Sequence, residues 1–258
     1  MKTLIDVVIP AGGTIGPAYA QRIGTPFRAL APLGPDRTPV LQIVVDALRA
    51  SGRIGRVIAI APEAVMSAIS GVDTWGRYSA NGIENVLNGL SETNGDRAAL
   101  VCASDLPFLT PAVIDDFCER ADPAADLVTG LICETDYLAA FPNAPISEWI
   151  NLRDAGPATA GCLFQIRPQL VLNNRNLIDR GFHARKSQLK MAGILGPRLI
   201  WQFAAKQLRL SALVSRVEQI LACRVQIIHD ASPALAFDID TIADFEYAHV
   251  RLRQNSKS

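Results

Sequence analysis

Short apolar runs of strand length alternate with segments of helical periodicity along the first half of this sequence. The apolar runs are rich in β-branched residues and occur at 4–9, 57–61 and 98–103. Between the first two, apolar residues recur at the spacing of one helix face, at Val40, Leu41, Val44, Val45 and Leu48. Alternating strands and helices form a mostly parallel sheet that is covered by helices on both faces. The sequence therefore predicts an α/β fold of three layers.

The pattern changes in the second half of the chain. In order, it shows a strand, a strand pair, two helical stretches and a strand, at 126–133, 149–153, 160–166, 168–179, 186–221 and 224–228. A final helix runs through Leu252. Because 258 residues suit one substantial domain, we predict a single domain over 1–258, in which 135–222 form an inserted subdomain made of the β-pair and the helical segment.

The charge and the cysteines restrict the class of protein. The 25 basic and 25 acidic residues balance, so no global field attracts a polyanion and we expect no nucleic-acid partner. The five cysteines are widely spaced and lack a C-x-x-C pair, which indicates free thiols in a reducing compartment and no zinc site. Asp6 and Pro10 interrupt the first apolar run, and no run is long enough to cross a bilayer. We expect a cytoplasmic protein with no transmembrane segment.

The first strand ends in a glycine turn, Ala11-Gly12-Gly13. Adjacent glycines let the backbone approach a ligand and present consecutive N–H groups, which suits phosphates. Arg22 and Arg28 follow on the same connection and supply forked donors for phosphate oxygens. The alternative is that the glycines serve packing only.

Two acidic motifs could hold a cation. Asp105 comes just after the strand at 98–103, at the sheet edge where ligands of open α/β sheets bind, and a carboxylate beside phosphates suggests Mg²⁺. Its alternative role is to cap a turn before Pro107. Asp238 and Asp240 alternate along an extended segment, so both can face one hard cation. Equally, Asp240 or Thr241 could cap the final helix.

Together these motifs resemble one known family. Strand-Ala-Gly-Gly, Arg-x-Gly at 22–24, Arg28-Ala-Leu, Ser-Asp-x-Pro-Phe-Leu at 104–109 and Asp-Ile-Asp-Thr at 238–241 are similar, in order and spacing over nearly the whole chain, to the MobA-like nucleotidyltransferases. The resemblance implies a GT-A-like (Rossmann-like) fold. It also implies an Mg²⁺-dependent enzyme that transfers an NMP from a nucleoside triphosphate to a phosphorylated acceptor and releases pyrophosphate.

Carried over by position, the resemblance assigns roles to individual residues. Ala11, Gly12 and Gly13 would contact the nucleotide, and Asn81 with Gly82 would face the base, although Asn81 could simply be a helix N-cap. Arg22 and Arg28 would be the catalytic cations on the triphosphate. The metal ligands would be Asp105 and Asp238 or Asp240.

Two departures from the family pattern keep other functions open. Residues 14–21 make the glycine-rich segment longer than usual, and Arg28 stands where the family has lysine. Arginine keeps the charge but presents a planar fork in place of a compact ammonium. A non-catalytic nucleotide-binding protein is therefore one alternative. A glycosyltransferase that uses an NDP-sugar on the same fold is another.

One segment in the second half of the sequence, a candidate for binding the acceptor, carries charges of a single sign. Between Arg180 and Val217 the sequence has eight basic residues and no acidic one. Within this segment Arg185 and Lys186 are the candidate contacts for an anionic small-molecule acceptor, and Leu199, Ile200, Trp201 and Phe203 could form a lid or a membrane-surface contact. The alternative is a helical subdomain whose Trp and Phe lie in a core. The base, the acceptor and the oligomeric state stay open.

Overall fold

The computed structural model of the chain describes residues 4–145, 148–184 and 193–255. The described strands are β1 (Ile5–Pro10), β2 (Pro32–Leu33), β3 (Thr38–Pro39), β4 (Ile54–Ile60), β5 (Thr74–Trp75), β6 (Ala99–Cys102), β7 (Leu127–Cys133), β8 (Ile150–Leu152), β9 (Gly156–Ile166) and β10 (Val225–Ile228). The described α-helices are α1 (Pro17–Ile23), α2 (Val40–Ala50), α3 (Glu63–Met66), α4 (Gly82–Ser91), α5 (Pro111–Arg120), α6 (Glu134–Ala140), α7 (Pro168–Asn173), α8 (Arg175–Ala184), α9 (Pro197–Ala204), α10 (Leu210–Leu221) and α11 (Ile242–Asn255).

Eight strands form one sheet in the order β10–β7–β9–β6–β1–β4–β5, with β8 paired to β9. β1 is parallel to β4 and β6, β4 is parallel to β5, and β7 is parallel to β10. β9 runs antiparallel to its neighbours β6, β7 and β8. The predicted α/β fold with a mostly parallel central sheet is confirmed.

The strand pair in the second half is part of the main sheet. Strands were expected at 149–153 and 160–166, and they are present as the antiparallel pair β8 and β9. β9 begins earlier than expected, at Gly156, and lies between β6 and β7 in the centre of the sheet. The segment 135–222 therefore contributes a central strand, and its description as an inserted subdomain stays a prediction.

The helical stretch expected at 186–221 is interrupted within its described part. Gly196, at a φ of +91°, leads into Pro197 at the first position of α9, and Lys206 adopts a φ of +55° soon after that helix ends. Both positions break helical geometry. In α9, Leu199 is buried, whereas Trp201 is 67% and Phe203 42% exposed. The alternative that placed both aromatic residues in a core is wrong.

Helix α4 packs directly on the sheet because it contains Gly89. A Cβ at this position would lie 2.2 Å from Val8 Cγ1 and 2.6 Å from Ile60 Cδ1. The side chains Val8, Ile58, Ile60, Leu87 and Leu90 form a buried cluster at this contact. The close approach holds the N-terminus of α4 beside the carboxyl end of β1, where the glycine turn lies.

Candidate functional site

The candidate site lies where β1 and β6 end side by side. These strands are parallel neighbours, with Val8 opposite Val101, so the glycine turn and Asp105 emerge at one edge of the sheet. The segment 238–240 reaches the same edge from the other end of the chain. It is tied down by Tyr19, whose hydroxyl donates a 3.1 Å hydrogen bond to the Ile239 carbonyl.

Three carboxylates meet at this edge. One oxygen from each of Asp105, Asp238 and Asp240 lies within 4.8 Å of the other two. Asp105 is only 5% exposed, whereas Asp240 is exposed. Capping of α11 involves Thr241 and Asp244, whose hydroxyl and carboxylate lie 2.7 Å apart, so Asp240 is left to the cluster.

Arg28 sits on this carboxylate cluster. Its Nη1 donates to Asp105 Oδ2 at 2.9 Å and also to Asp240 Oδ1. Both hydrogen bonds come from the same nitrogen. The Nε of Arg28 is buried and has no hydrogen-bond partner among the described residues.

The electrostatics of the cluster favour another cation. Burial raises the pKa of Asp105 above its usual range even though Arg28 opposes the shift. Burial, together with Asp105 and Asp240, raises the pKa of Asp238 to about 7. A single guanidinium therefore does not compensate three carboxylates. Clustered carboxylate oxygens are ligands that Mg²⁺ prefers, so the donor set fits this ion.

The glycine turn folds back on the residues that carry Arg28. Gly13 O accepts a 3.2 Å hydrogen bond from the Arg28 backbone N–H, and Ile15 donates to Pro26 O at 3.0 Å. Ala11 is buried, and its own N–H donates to Ile60 O at 2.8 Å. The longer segment 14–21 thus pairs with 26–28 at its start and continues as helix α1.

A cleft of about 430 Å³ opens beside the glycine turn. Its walls include Gly12, Gly13, Tyr78, Gly82 and Asn85. A Cβ at Gly12 would lie 2.3 Å from the Tyr78 ring, so only glycine allows this approach of backbone to ring. The cleft is large enough for a small-molecule ligand.

The segment between β5 and α4 forms the other wall of the cleft. Asn81 is the N-cap of α4, since its Oδ1 accepts a 3.0 Å hydrogen bond from Ile83 N–H. Asn85 is buried and brackets Ser79, accepting from its N–H at 2.7 Å and donating to its carbonyl at 2.9 Å. Sequence reasoning did not find Tyr78 or Asn85, because neither belongs to a periodic pattern or a recognised motif.

Arg22 is not brought to the carboxylate cluster by any described contact. It forms an ion pair with Glu246 of α11, through Nε at 2.9 Å and Nη2 at 2.8 Å, and its side chain is 57% exposed. Its assignment to the triphosphate stays a prediction. Arg185 and Lys186 lie outside the described residues.

The comparisons with known proteins agree with this geometry. The family model of the MobA-like NTP transferase domain matches residues 7–156. The chain belongs to this family. No curated protein sequence matches the chain.

Solved structures share the fold of this MobA-like chain over nearly its full length. A hypothetical transferase from Thermus thermophilus is 24% identical, covers 95% of this chain and 100% of its own, and has a TM-score of 0.80. CMP:2-keto-3-deoxy-manno-octonic acid synthetase complexed with CTP is 16% identical, with coverages of 99% and 100% and a TM-score of 0.58. The 2-C-methyl-D-erythritol 4-phosphate cytidylyltransferase from Thermus thermophilus is 15% identical, with coverages of 97% and 100% and a TM-score of 0.55. With the family match, the chain is a nucleotidyltransferase-like protein of this fold.

Two further observations concern the cysteines and the apolar character of the helices. All five cysteines are free thiols. Among the described helices, none is both long and apolar enough to cross a membrane.

Proposed function

We propose that this protein is an Mg²⁺-dependent nucleotidyltransferase that transfers an NMP from an NTP to a phosphorylated, anionic small-molecule acceptor. The observation that carries the proposal is the cluster of Asp105, Asp238 and Asp240, with Arg28 on it, at the sheet edge that also carries the glycine turn. These three carboxylates would hold the Mg²⁺, which when bound supplies positive charge against the phosphate oxygens.

The chain's own residues would bind and orient the donor. Gly12 and Gly13 line the cleft without side chains in the way, and their backbone N–H groups would bind the phosphates. Arg28 would exchange its carboxylate partners for phosphate oxygens and stabilise the charge that develops in the transition state. Arg22 would join it on the triphosphate once released from Glu246.

The reaction needs no nucleophile from the protein. An acceptor phosphate oxygen attacks the α-phosphorus, and the bond from that phosphorus to the bridging oxygen of the β-phosphate breaks. Pyrophosphate then leaves with the electron pair of this bond. Catalysis would come from positioning and charge.

The alternatives differ in what supports them. The family match favours an NTP over an NDP-sugar as the donor. A non-catalytic nucleotide-binding protein is favoured by one observation, namely that Arg28 already occupies two of the three carboxylates. The free thiols support a cytoplasmic location for the protein. The exposed Trp201 and Phe203 support a contact with a membrane surface.

Thermal stability against a panel of NTPs and NDP-sugars, with and without Mg²⁺, tests the proposal. A ligand that binds only the folded state adds about 2.7 kcal/mol at a hundred times its dissociation constant. We expect stabilisation by one NTP that depends on Mg²⁺ and is lost in Asp105→Asn. Asp36→Asn, at an exposed position in the turn between β2 and β3, is the matched control and should respond like wild type.

The donor found in this way is then incubated with sugar, polyol and lipid phosphates while pyrophosphate release is measured. Release with one acceptor supports the transferase. Stabilisation only by an NDP-sugar would support glycosyl transfer. Tight NTP binding without pyrophosphate release from any acceptor would support the non-catalytic alternative.

A further inference from the structure

A second cavity lies far along the sheet from the glycine turn, beneath helix α10. It has a volume of about 180 Å³ and lies between α10 and strands β7 to β10. Its walls include Leu131, Ile150, Leu213, Val217 and Ile227, and among the described residues no charged side chain lines it. We call this cavity the apolar chamber.

The chamber exists because α10 closes on the sheet only in part: Leu210 and Leu213 pack against the buried cluster around Leu131, and the rest of the gap stays open. The helix is amphipathic, yet none of its twelve residues is buried. A helix normally presses its apolar stripe into the sheet until the gap between them is filled. Filling an open pocket lined by aliphatic side chains with hydrocarbon removes apolar surface from water on both sides. The chamber is therefore suited to a hydrocarbon guest.

One polar atom at the chamber wall has no hydrogen-bond partner among the described residues. The Thr129 hydroxyl is buried, and nothing in the described parts of the chain accepts from it or donates to it. Buried hydroxyls are nearly always hydrogen-bonded. A guest with an oxygen near its hydrocarbon part would satisfy this group.

The chamber opens on the same face of the sheet as the cleft beside the glycine turn. Leu127 of the chamber wall pairs with Ile166 across β7 and β9. Directly opposed residues of an antiparallel pair share a face. Ile166 in turn packs against the cluster that joins Val8 to Leu87 of α4, and α4 forms one wall of the cleft.

Among the described residues, cations without a carboxylate partner flank the chamber, whereas the flanking acids Asp126 and Glu218 are engaged by Arg167 and by the Val225 N–H. Residues 193–217 contain four basic side chains and no acidic one. Arg153 and Arg209 directly adjoin the wall residues Leu152 and Leu210, and within the described ranges neither has a carboxylate partner. The carboxylate of Asp154 is engaged, since it accepts a 2.9 Å hydrogen bond from the Leu210 N–H. An anionic head group on the hydrocarbon guest would match these cations.

We propose that the apolar chamber binds the hydrocarbon chain of an anionic amphiphile, a molecule with an aliphatic tail and a phosphate head. Resting on the proposed function, such an amphiphile is the class of acceptor that the enzyme uses. The binding itself requires neither the nucleotide nor the metal.

Isothermal titration calorimetry with alkyl phosphates tests the proposal in the absence of nucleotide and metal. From butyl to decyl phosphate, below micelle formation, we expect affinity to rise about fourfold per methylene until the chamber is full. Inorganic phosphate should bind at least tenfold more weakly than decyl phosphate. An affinity that does not depend on chain length would overturn the proposal.

Two pairs of variants separate the chamber from the surface. Val214→Phe fills the chamber and should weaken decyl phosphate at least tenfold, whereas Ser215→Phe adds the same ring on the exposed side of α10 and should change nothing. Arg209→Ala should weaken decyl phosphate but not decanol, while Arg253→Ala on α11 should leave both unchanged. Thermal melting checks that each variant is folded. If a variant is not folded, the chain-length series on the wild-type protein still tests the proposal.

The acceptor role is measured separately, by the release of pyrophosphate when decyl phosphate is incubated with the NTP that the thermal-stability panel identifies. If the protein binds decyl phosphate but no NTP, the transferase is refuted and the binding of a hydrocarbon chain in the chamber is not. Equal binding of wild type and Val214→Phe to anionic vesicles, without decyl phosphate binding, would overturn the chamber in favour of surface contact through α9.

Discussion

Replacing Arg28 by methionine should destabilise the ligand-free protein through Asp105. The Arg28 side chain is 27% exposed, and the Asp105 side chain that it contacts is only 8% exposed. Removing one partner of a buried ion pair costs about 3–5 kcal/mol, because the other charge is left uncompensated. Since Arg28 is partly exposed, we place the loss at the lower end, about 3 kcal/mol. For a protein of this size that corresponds to a fall of roughly 6–12 °C in melting temperature.

Arg28→Lys should behave differently, and the geometry gives the reason. Both hydrogen bonds to the carboxylates come from Nη1 alone, so one ammonium can replace them. The substitution also removes the buried Nε that lacks a partner among the described residues. We expect Arg28→Lys to stay within about 1 kcal/mol of wild type. Arg22→Met, at an exposed ion pair, is the control and should cost at most about 1 kcal/mol.

The pH dependence supplies a second readout for Arg28→Met. The pKa of Asp105 is already raised by burial, and losing Arg28 raises it further. Between the unfolded pKa of about 4 and the folded one, only the folded state binds this proton, so stability increases as pH falls. The deficit measured by urea unfolding should therefore shrink from pH 7 to pH 5. A deficit independent of pH, or equal in Arg28→Lys and Arg28→Met, would refute the reasoning.

Further substitutions probe the same edge of the sheet. The raised pKa of Asp238, about 7, means that wild-type stability should fall as pH rises from about 4, where the unfolded carboxyl titrates, to about 7, by up to about 1.4 kcal/mol per pH unit, and should level off above pH 7. Urea titrations should find this pH dependence reduced in Asp238→Asn. An equal pH dependence in wild type and Asp238→Asn would contradict the prediction. Gly12→Ala should cost about 1–3 kcal/mol in thermal melts because its Cβ meets the Tyr78 ring, whereas Gly13→Ala meets nothing within 4 Å and should cost little; a rescue of Gly12→Ala by Tyr78→Ala is expected, and its absence would place the strain elsewhere. Thr241→Ala should lose about 1 kcal/mol of stability as a helix cap, and Mg²⁺ titration should show the carboxylate cluster unaffected.

Local chemistry let the sequence specify much of this protein. The β-branched run before the glycine turn became β1, and Thr110 caps α5 ahead of Pro111 as its residue type indicates. Asp105 could be singled out because it follows a buried strand, whose carboxyl end lies at the ligand edge of an α/β sheet. Each of these inferences depends on residues that are neighbours along the chain.

Only the tertiary structure decided which distant residues meet. Arg28 contacts Asp105 across 77 positions, and Arg22 contacts Glu246 across 224. The central place of the antiparallel strand β9, and the gap beneath α10, likewise follow from how whole elements pack. A periodic pattern fixes which face of an element is buried, but it carries no information about the partner that buries it. Partners are chosen by the shape and charge of surfaces that exist only once the chain has folded.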